Sequence, residues 1–240
     1  MAKNFEQVLN HYKASYFSVA LLINKETFVK DVESFFSLEK WNGQTFLGLM
    51  EKYQVSPEMM FHRLTSLLPK FFGLSKLYFI RTVHDPDKNS FEIDKELHLN
   101  HKHHPHGNGL FEHYCRRWQA LSLLKDLHQL QKEGKYAGTL VGAQRSIYHN
   151  TNDEYLSFTL SRAAHPAPGR NVSVTIGLLL DDSIRQKIKF WNDPAIIVRE
   201  VNNTCQRCPI EDCADRAAPA TIVERRQRTK RIQDKLEELK

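Results

Sequence analysis

Three cysteines stand close together near the end of the chain: Cys205 and Cys208 form a C-x2-C pair, and Cys213 follows five residues later. A C-x2-C turn brings two sulfurs near enough to share one metal centre, and a third within another turn extends the cage. Thiolates are soft, anionic ligands, which suits zinc or an iron–sulfur cluster. A redox C-x2-C pair or incidental thiols are the competing readings. The redox reading wants a thioredoxin-like βαβ context, and none is apparent. A complete thiolate site needs a fourth ligand, and Cys115 is the one remaining cysteine. Spacing leaves two fates open for it, fourth ligand or lone buried core residue. At the start of a helix over Tyr114–Leu127, the helix dipole would favour its thiolate.

Histidines compete as ligands. His98, His101, His103, His104 and His106 crowd one segment, and His113 follows. Lys102, Pro105 and Gly107 among them mark an exposed loop, with adventitious metal affinity at most. Arg162 and His165 at the end of a strand offer a phosphate contact, against the plainer reading of solvated loop cations. The chain contains no HExxH, no G-x-S-x-G, no P-loop and no GxGxxG, and no pair of acids is spaced for acid–base work. No catalysis is expected of it.

Residues 3–36 read as helical, and Thr45–Tyr53 and Pro57–Leu68 as two short helices, with Ser56 as N-cap and Pro57 at the first helical position. Such a pair is compatible with a helix-turn-helix, but Met59, Met60, Phe61, Leu64, Leu67 and Leu68 make the second helix a packing element. Strands are expected over Leu77–Val83, Ser90–Leu99, Tyr136–Ser146, Glu154–Arg162 and Asn171–Leu180, and a turn at Asp85–Asn89. Helices are expected over Gly109–Gln131 and Asp181–Phe190. This order gives an α+β fold with an antiparallel sheet, one face covered and the other at least partly free for a ligand. Thr221–Lys240 reads as a terminal helix, basic at Arg225, Arg226, Arg228, Lys230 and Arg231, with Ile232, Leu236 and Leu239 on one face. A solvated helix, an oligomer contact and a nucleic-acid contact are its readings in that order.

At 240 residues, with 41% hydrophobic and 26% charged residues, the composition is that of an ordinary globular protein. No apolar run approaches the roughly 18 residues of a membrane span. The N-terminal residues lack the layout of a signal peptide. A cytoplasmic protein that does not enter membranes is expected. The net charge of +6 favours acidic partners without choosing among them.

Cys115-Arg116-Arg117-Trp118 gives C-x2-W, and Cys205 to Pro219 gives C-x2-C-x3-D-C-x2-R-A-x-P. Both resemble the sensor region of the short-chain fatty-acyl transcriptional regulators. Leu77–Val83, Ser157–Arg162 and Val174-Thr175-Ile176-Gly177 fall in the order of that group. Tyr12–Leu22 resembles the helix that follows the HExxH helix of IrrE-type, peptidase-like domains. The group often carries a cysteine after the late-strand glycine, where this chain has Leu178.

The resemblance implies a helical remnant of an IrrE-type domain over 1–72, a GAF-like sensor over 73–200, and a cysteine-rich tail with a terminal helix over 201–240. It implies a [4Fe–4S] cluster on Cys115, Cys205, Cys208 and Cys213, with zinc as the alternative metal. Coenzyme A or a short acyl-CoA is the implied ligand, with Arg116, Arg162 and His165 as candidate contacts. It further implies a homo-oligomer, dimer or tetramer, and DNA recognition through a domain preceding Met1. A zinc-stapled interaction or oligomerisation module without a small-molecule ligand is the alternative function.

Overall fold

The computed structural model of the chain describes residues 4–99, 112–136, 138–149, 151, 153–167 and 169–238. Four helices come first: α1 (Phe5–Leu22), α2 (Lys25–Phe36), α3 (Gly43–Lys52) and α4 (Pro57–Leu67). Each starts on a side-chain oxygen that accepts from the first turn. The caps are Asn4, Asn24, Asn42 and Ser56, which satisfy backbone donors that would otherwise lack partners. The long helical stretch expected over 3–36 is broken at Ile23–Asn24, where the second of these caps restarts the helix.

Six strands follow as one sheet in the order β2-β1-β5-β4-β3-β6. They are β1 (Leu77–Asp85), β2 (Ser90–His98), β3 (Leu140–Tyr148), β4 (Glu154–Ala163), β5 (Asn171–Leu179) and β6 (Ile197–Val201). All neighbours run antiparallel except β3 and β6, which are parallel. The fold is therefore α+β with an open, mostly antiparallel sheet. The helix expected over Asp181–Phe190 is a short α6 (Asp182–Lys187) followed by a 3-10 turn at Lys189–Asn192. No strand was expected at β6. It is five residues long, follows a Pro194 turn and leaves Ile197 and Val198 about half exposed on the sheet edge, so its alternation is too short to register.

One face of the sheet carries the helical layer. Alternate residues of the strands, among them Leu77, Phe79, Phe158, Leu160, Val174 and Ile176, join Phe28, Phe35, Phe46, Met60, Phe61 and Leu64 in a single core. The helical segment and the sheet thus share their hydrophobic interior. The rings of Trp41 and Phe158 stack at 5.4 Å, and Phe35 meets Phe190 edge-on at 5.0 Å.

The opposite face is also covered, contrary to the expectation of a free face. Helix α5 (Gln119–Lys132) lies on it and buries Leu121, Leu124 and Leu127 against Tyr78, Ile80 and Tyr155. The strand residues beneath are small and polar: Thr82, Ser157, Thr159, Ser161, Ser173 and Thr175, all buried. Their alternation with apolar residues reads in sequence as a solvent-facing side. Short hydroxyl side chains instead let a helix approach closely, and Thr159 and Thr175 hydrogen-bond each other at 2.8 Å. Gly142 and Gly177 extend this closeness, because a methyl group on either would overlap Gln119 or Tyr78.

His84, at the end of β1, is 2% exposed and stacks flat on Phe91 with ring centres 4.4 Å apart. Burial, then the nearby His128 and Arg116, push its pKa down from 6.5 to about 4, against a weaker opposing effect of Asp85. The unfolded chain therefore binds this proton near pH 6.5 and the folded chain only near 4. Its contribution to stability is full above pH 6.5 and is lost as the pH falls towards 4. The difference in urea midpoint between wild type and His84→Phe is expected to change over that window and to be flat above it. A difference independent of pH would refute this.

Candidate four-cysteine site

The helix expected from Gly109 begins ten residues later. Residues 109–111 lie outside the described residues, and 112–118 are not helical, because their backbone pairs with the distant tail. Cys115 N–H donates to the Asn203 carbonyl at 3.1 Å, Cys205 N–H donates to the His113 carbonyl at 2.9 Å, and Tyr114 and Thr204 form an antiparallel bridge. Those bonds set Cys115 opposite Asn203 and Cys205 opposite His113, so the two cysteines are diagonal neighbours across two strand-like segments. The Trp118 indole N–H donates to the Asn202 carbonyl at 2.9 Å, a physical reason for the C-x2-W spacing. Glu112 clamps the same junction: its carboxylate accepts from Arg207 Nε and Nη2, each at 2.7 Å, and from the Thr204 hydroxyl at 2.6 Å.

Within the tail, Cys208 N–H donates to the Cys205 carbonyl at 3.3 Å and closes the C-x2-C turn. Backbone donors reach three of the sulfurs. Ala217 N–H lies 3.4 Å from Cys205 Sγ, the backbone of Ile210 donates to Cys208, and the backbones of Asn202 and Arg117 donate to Cys115. Such N–H donors stabilise a sulfur that carries negative charge. Cys115, Cys205 and Cys208 are buried and Cys213 is half-buried, all as free thiols. The sulfurs sense one another electrostatically, Cys115 with Cys205 and Cys208, and Cys208 with Cys205 and Cys213.

The dipole argument for Cys115 does not hold. The residue precedes α5 by one turn, and burial pushes its thiol up to about 11, with backbone donors only partly opposing this. Burial raises Cys208 as well. Among the described residues, no three His, Cys, Asp or Glu side chains converge closely enough to hold a metal ion.

Arg216 organises the loop that carries the tail cysteines, a role that spacing alone did not assign. Its guanidinium donates to the carbonyls of Cys205 at 2.9 Å, Cys208 at 3.1 Å and Ala218 at 3.3 Å, and also to that of Ile210. The available signal was the arginine of C-x2-R-A-x-P. Arg216→Met is expected to destabilise the loop by on the order of 2 kcal/mol, because several carbonyls lose a charged donor together. Faster amide exchange confined to residues 202–220 checks this, and unchanged exchange there contradicts it.

The candidate ligand contacts do not meet. Arg116 is buried beside the cysteines, on the α5 side of the sheet. Arg162 points to the helical layer and pairs with Glu58, which also holds Arg81. His165 is exposed in the loop between β4 and β5. Between the sheet and the start of α5, Tyr78, Trp118, Ser146, Tyr148, Ser157 and Thr175 enclose a cavity of about 20 Å³, room for a single water. His101, His103, His104 and His106 lie outside the described residues. His113 is engaged by Gln206: its backbone N–H donates to Oε1 at 2.9 Å, and its ring Nδ1 lies 2.9 Å from Nε2.

No family model, curated protein or solved structure matches the chain. Among the described residues, no helix is long and apolar enough to cross a membrane.

Proposed function

We propose that this chain is the cofactor- and ligand-sensing region of a bacterial transcriptional regulator, with a [4Fe–4S] cluster held by Cys115, Cys205, Cys208 and Cys213. The observation that supports the reading is the backbone pairing of residues 113–115 with 203–205, which brings Cys115 to the tail that bears the other three free thiols. A single zinc ion draws four sulfurs to one point, whereas a cluster is gripped at its corners. The choice of a cluster over zinc rests on the resemblance of the two cysteine motifs. When bound, the cluster would supply one-electron chemistry and sensitivity to oxygen. Its binding would also stabilise the tail against the sheet.

Coenzyme A or a short acyl-CoA as ligand, a GAF-like sensor, a homo-oligomer and DNA recognition through a further domain rest on the resemblance of the two cysteine motifs. Because Arg116 and Arg162 lie apart, a phosphate-bearing ligand would engage one of them, and Arg116 is the one beside the cysteines. Anaerobic purification followed by iron, sulfide and zinc analysis and an absorption spectrum tests the cluster. A brown chain with stoichiometric iron and sulfide is expected. A colourless chain holding one zinc would overturn the cluster and favour a stapled interaction module. Thermal shifts of the loaded chain with CoA and short acyl-CoA thioesters test the ligand, and no stabilisation by any of them removes it.

A further inference from the structure

On the side of the sheet away from the cysteines, α1, α4 and the β1–β2 pair line a cavity of about 360 Å³ that is open to solvent. That lies in the lower part of the roughly 300–1,000 Å³ typical of pockets for small molecules. Its inner wall is apolar: Val19 and Phe79 are buried and Met59 is half-buried. The polar groups are His11, Ser15 and Lys95, all exposed, and the half-buried His62. Burial, and then Lys95, hold the His62 imidazole below its usual pKa, which makes Lys95 the charge and His62 a neutral hydrogen-bonding group.

The charges here are unevenly paired. Glu58, the carboxylate of the lining, is spent on two arginines: Arg81 Nε lies 3.2 Å and Arg162 Nη2 3.5 Å from its oxygens. Arg81 also takes Asp94. Lys95 stands opposite Arg81 in the β1–β2 pair and has no carboxylate partner among the described residues. Arg63, the residue after His62, is 5% exposed, and its guanidinium finds the hydroxyl of Tyr16 at 3.3 Å and its ring. No partner meets its Nε among the described residues. Cations left without an anion in a partly buried place favour an anionic guest. A metal ion is disfavoured, because Lys95 would repel it and no three His, Cys, Asp or Glu among the described residues could hold it.

We propose that this cavity binds a small monocarboxylate with a compact apolar body. The body lies on Val19, Met59 and Phe79, and the carboxylate meets Lys95, with Ser15 and His62 as further donors. An ammonium–carboxylate contact is a charge-assisted hydrogen bond, stronger than one between neutral groups. Phe79 and Met59 both make favourable contacts with a ring. A ligand made mostly of phosphate would leave the apolar wall unused. The site depends on neither a metal centre nor coenzyme A, and it stands or falls apart from both.

The test titrates the whole chain with benzoate and with cyclohexanecarboxylate, followed by amide proton–nitrogen spectra. Benzamide is the neutral counterpart, and inorganic phosphate is the anion without an apolar body. Saturable shifts are expected for at least one carboxylate, clustered at residues 11–19, 58–62, 79 and 95. Benzamide should bind roughly tenfold or more weakly, the loss expected when a hydrogen bond to a charged group becomes a neutral one. Lys95→Met should lower carboxylate affinity by a similar factor, and Lys95→Arg should keep most of it. Lys88→Met, in the turn between β1 and β2, should match wild type. Ser15→Leu, on the exposed side of α1, fills the opening and should abolish binding while thermal unfolding stays close to wild type. Any one of three results overturns the proposal: no saturable shifts at those residues, benzamide or phosphate binding as tightly as the carboxylates, or K95M or S15L binding as well as wild type.

Discussion

With the proposed four-cysteine centre, replacement of Cys115 by serine is expected to abolish metal binding and to make residues 202–220 as accessible to protease in the metal-treated chain as in the metal-free one. Cys115 is the one thiol of the four that comes from outside the tail. The other three sit on one loop whose turns are closed by its own backbone and by Arg216. A centre bound by those three alone would no longer join the tail to the segment before α5. The loss in affinity should exceed about 100-fold, since even residues that only support a metal ligand typically account for 10–100-fold. In the metal-free chain the same substitution should do little, because the Glu112–Arg207 pair and the Trp118–Asn202 hydrogen bond still hold the junction. Metal analysis and timed proteolysis with and without metal measure both effects. A C115S chain that keeps stoichiometric metal and a protected tail would remove Cys115 from the site.

The second large effect belongs to the core. Phe158→Ala is expected to cost about 3–5 kcal/mol, the range for truncating a buried aromatic that cannot be backfilled. Phe158 is 2% exposed and lies among Trp41, Phe46, Phe35 and Phe190, with ring centres 5.3–6.1 Å away. Four of its neighbours come from three separate pieces of chain, so no single backbone shift closes the cavity. The urea midpoint should fall with an unchanged slope. Ile232→Ala on the terminal helix α7 (Thr221–Glu238) is the contrast: that side chain is about half exposed, and its loss should stay within about 0.5 kcal/mol. Equal effects at the two positions would contradict the assignment of the core.

Much of the fold is legible in the sequence wherever the information is local. The Ser56 cap with Pro57 announces α4, β1 shows as an apolar run and β4 and β5 by alternation, whereas the Asn24 cap that divides α1 from α2 went unread. The C-x2-C-x4-C run is equally plain, since spacing along the chain is all it requires. What was not legible depends on partners far away. Residues 112–118 look helical until their backbone donors and acceptors are taken by 202–206. The serines and threonines of β4 and β5 look exposed until Leu121, Leu124 and Leu127 are laid over them. Cys115 could be joined to the other cysteines only through a resemblance, because nothing in its own neighbourhood points ninety residues downstream. Arg116 and Arg162 look alike in sequence, and only the assembled sheet separates them onto opposite faces.

The parallel pairing of β6 with β3 bears on the order in which the molecule assembles. The helical layer and the β1–β2 hairpin close over short stretches of chain, whereas β6 joins β3 only after two intervening strands and α6 are in place. The Tyr114–Thr204 bridge spans a longer loop still. Long closures of this kind come late in folding, after local contacts have reduced the search. The β1–β5 pairing and the Trp41–Asp193 hydrogen bond span loops about as long as that bridge or longer, so the cysteine junction and the centre of the sheet close at a similar stage. The junction at the cysteines is thus as long-range as the sheet itself, and a change there would be felt by a closure that the local hairpins do not protect.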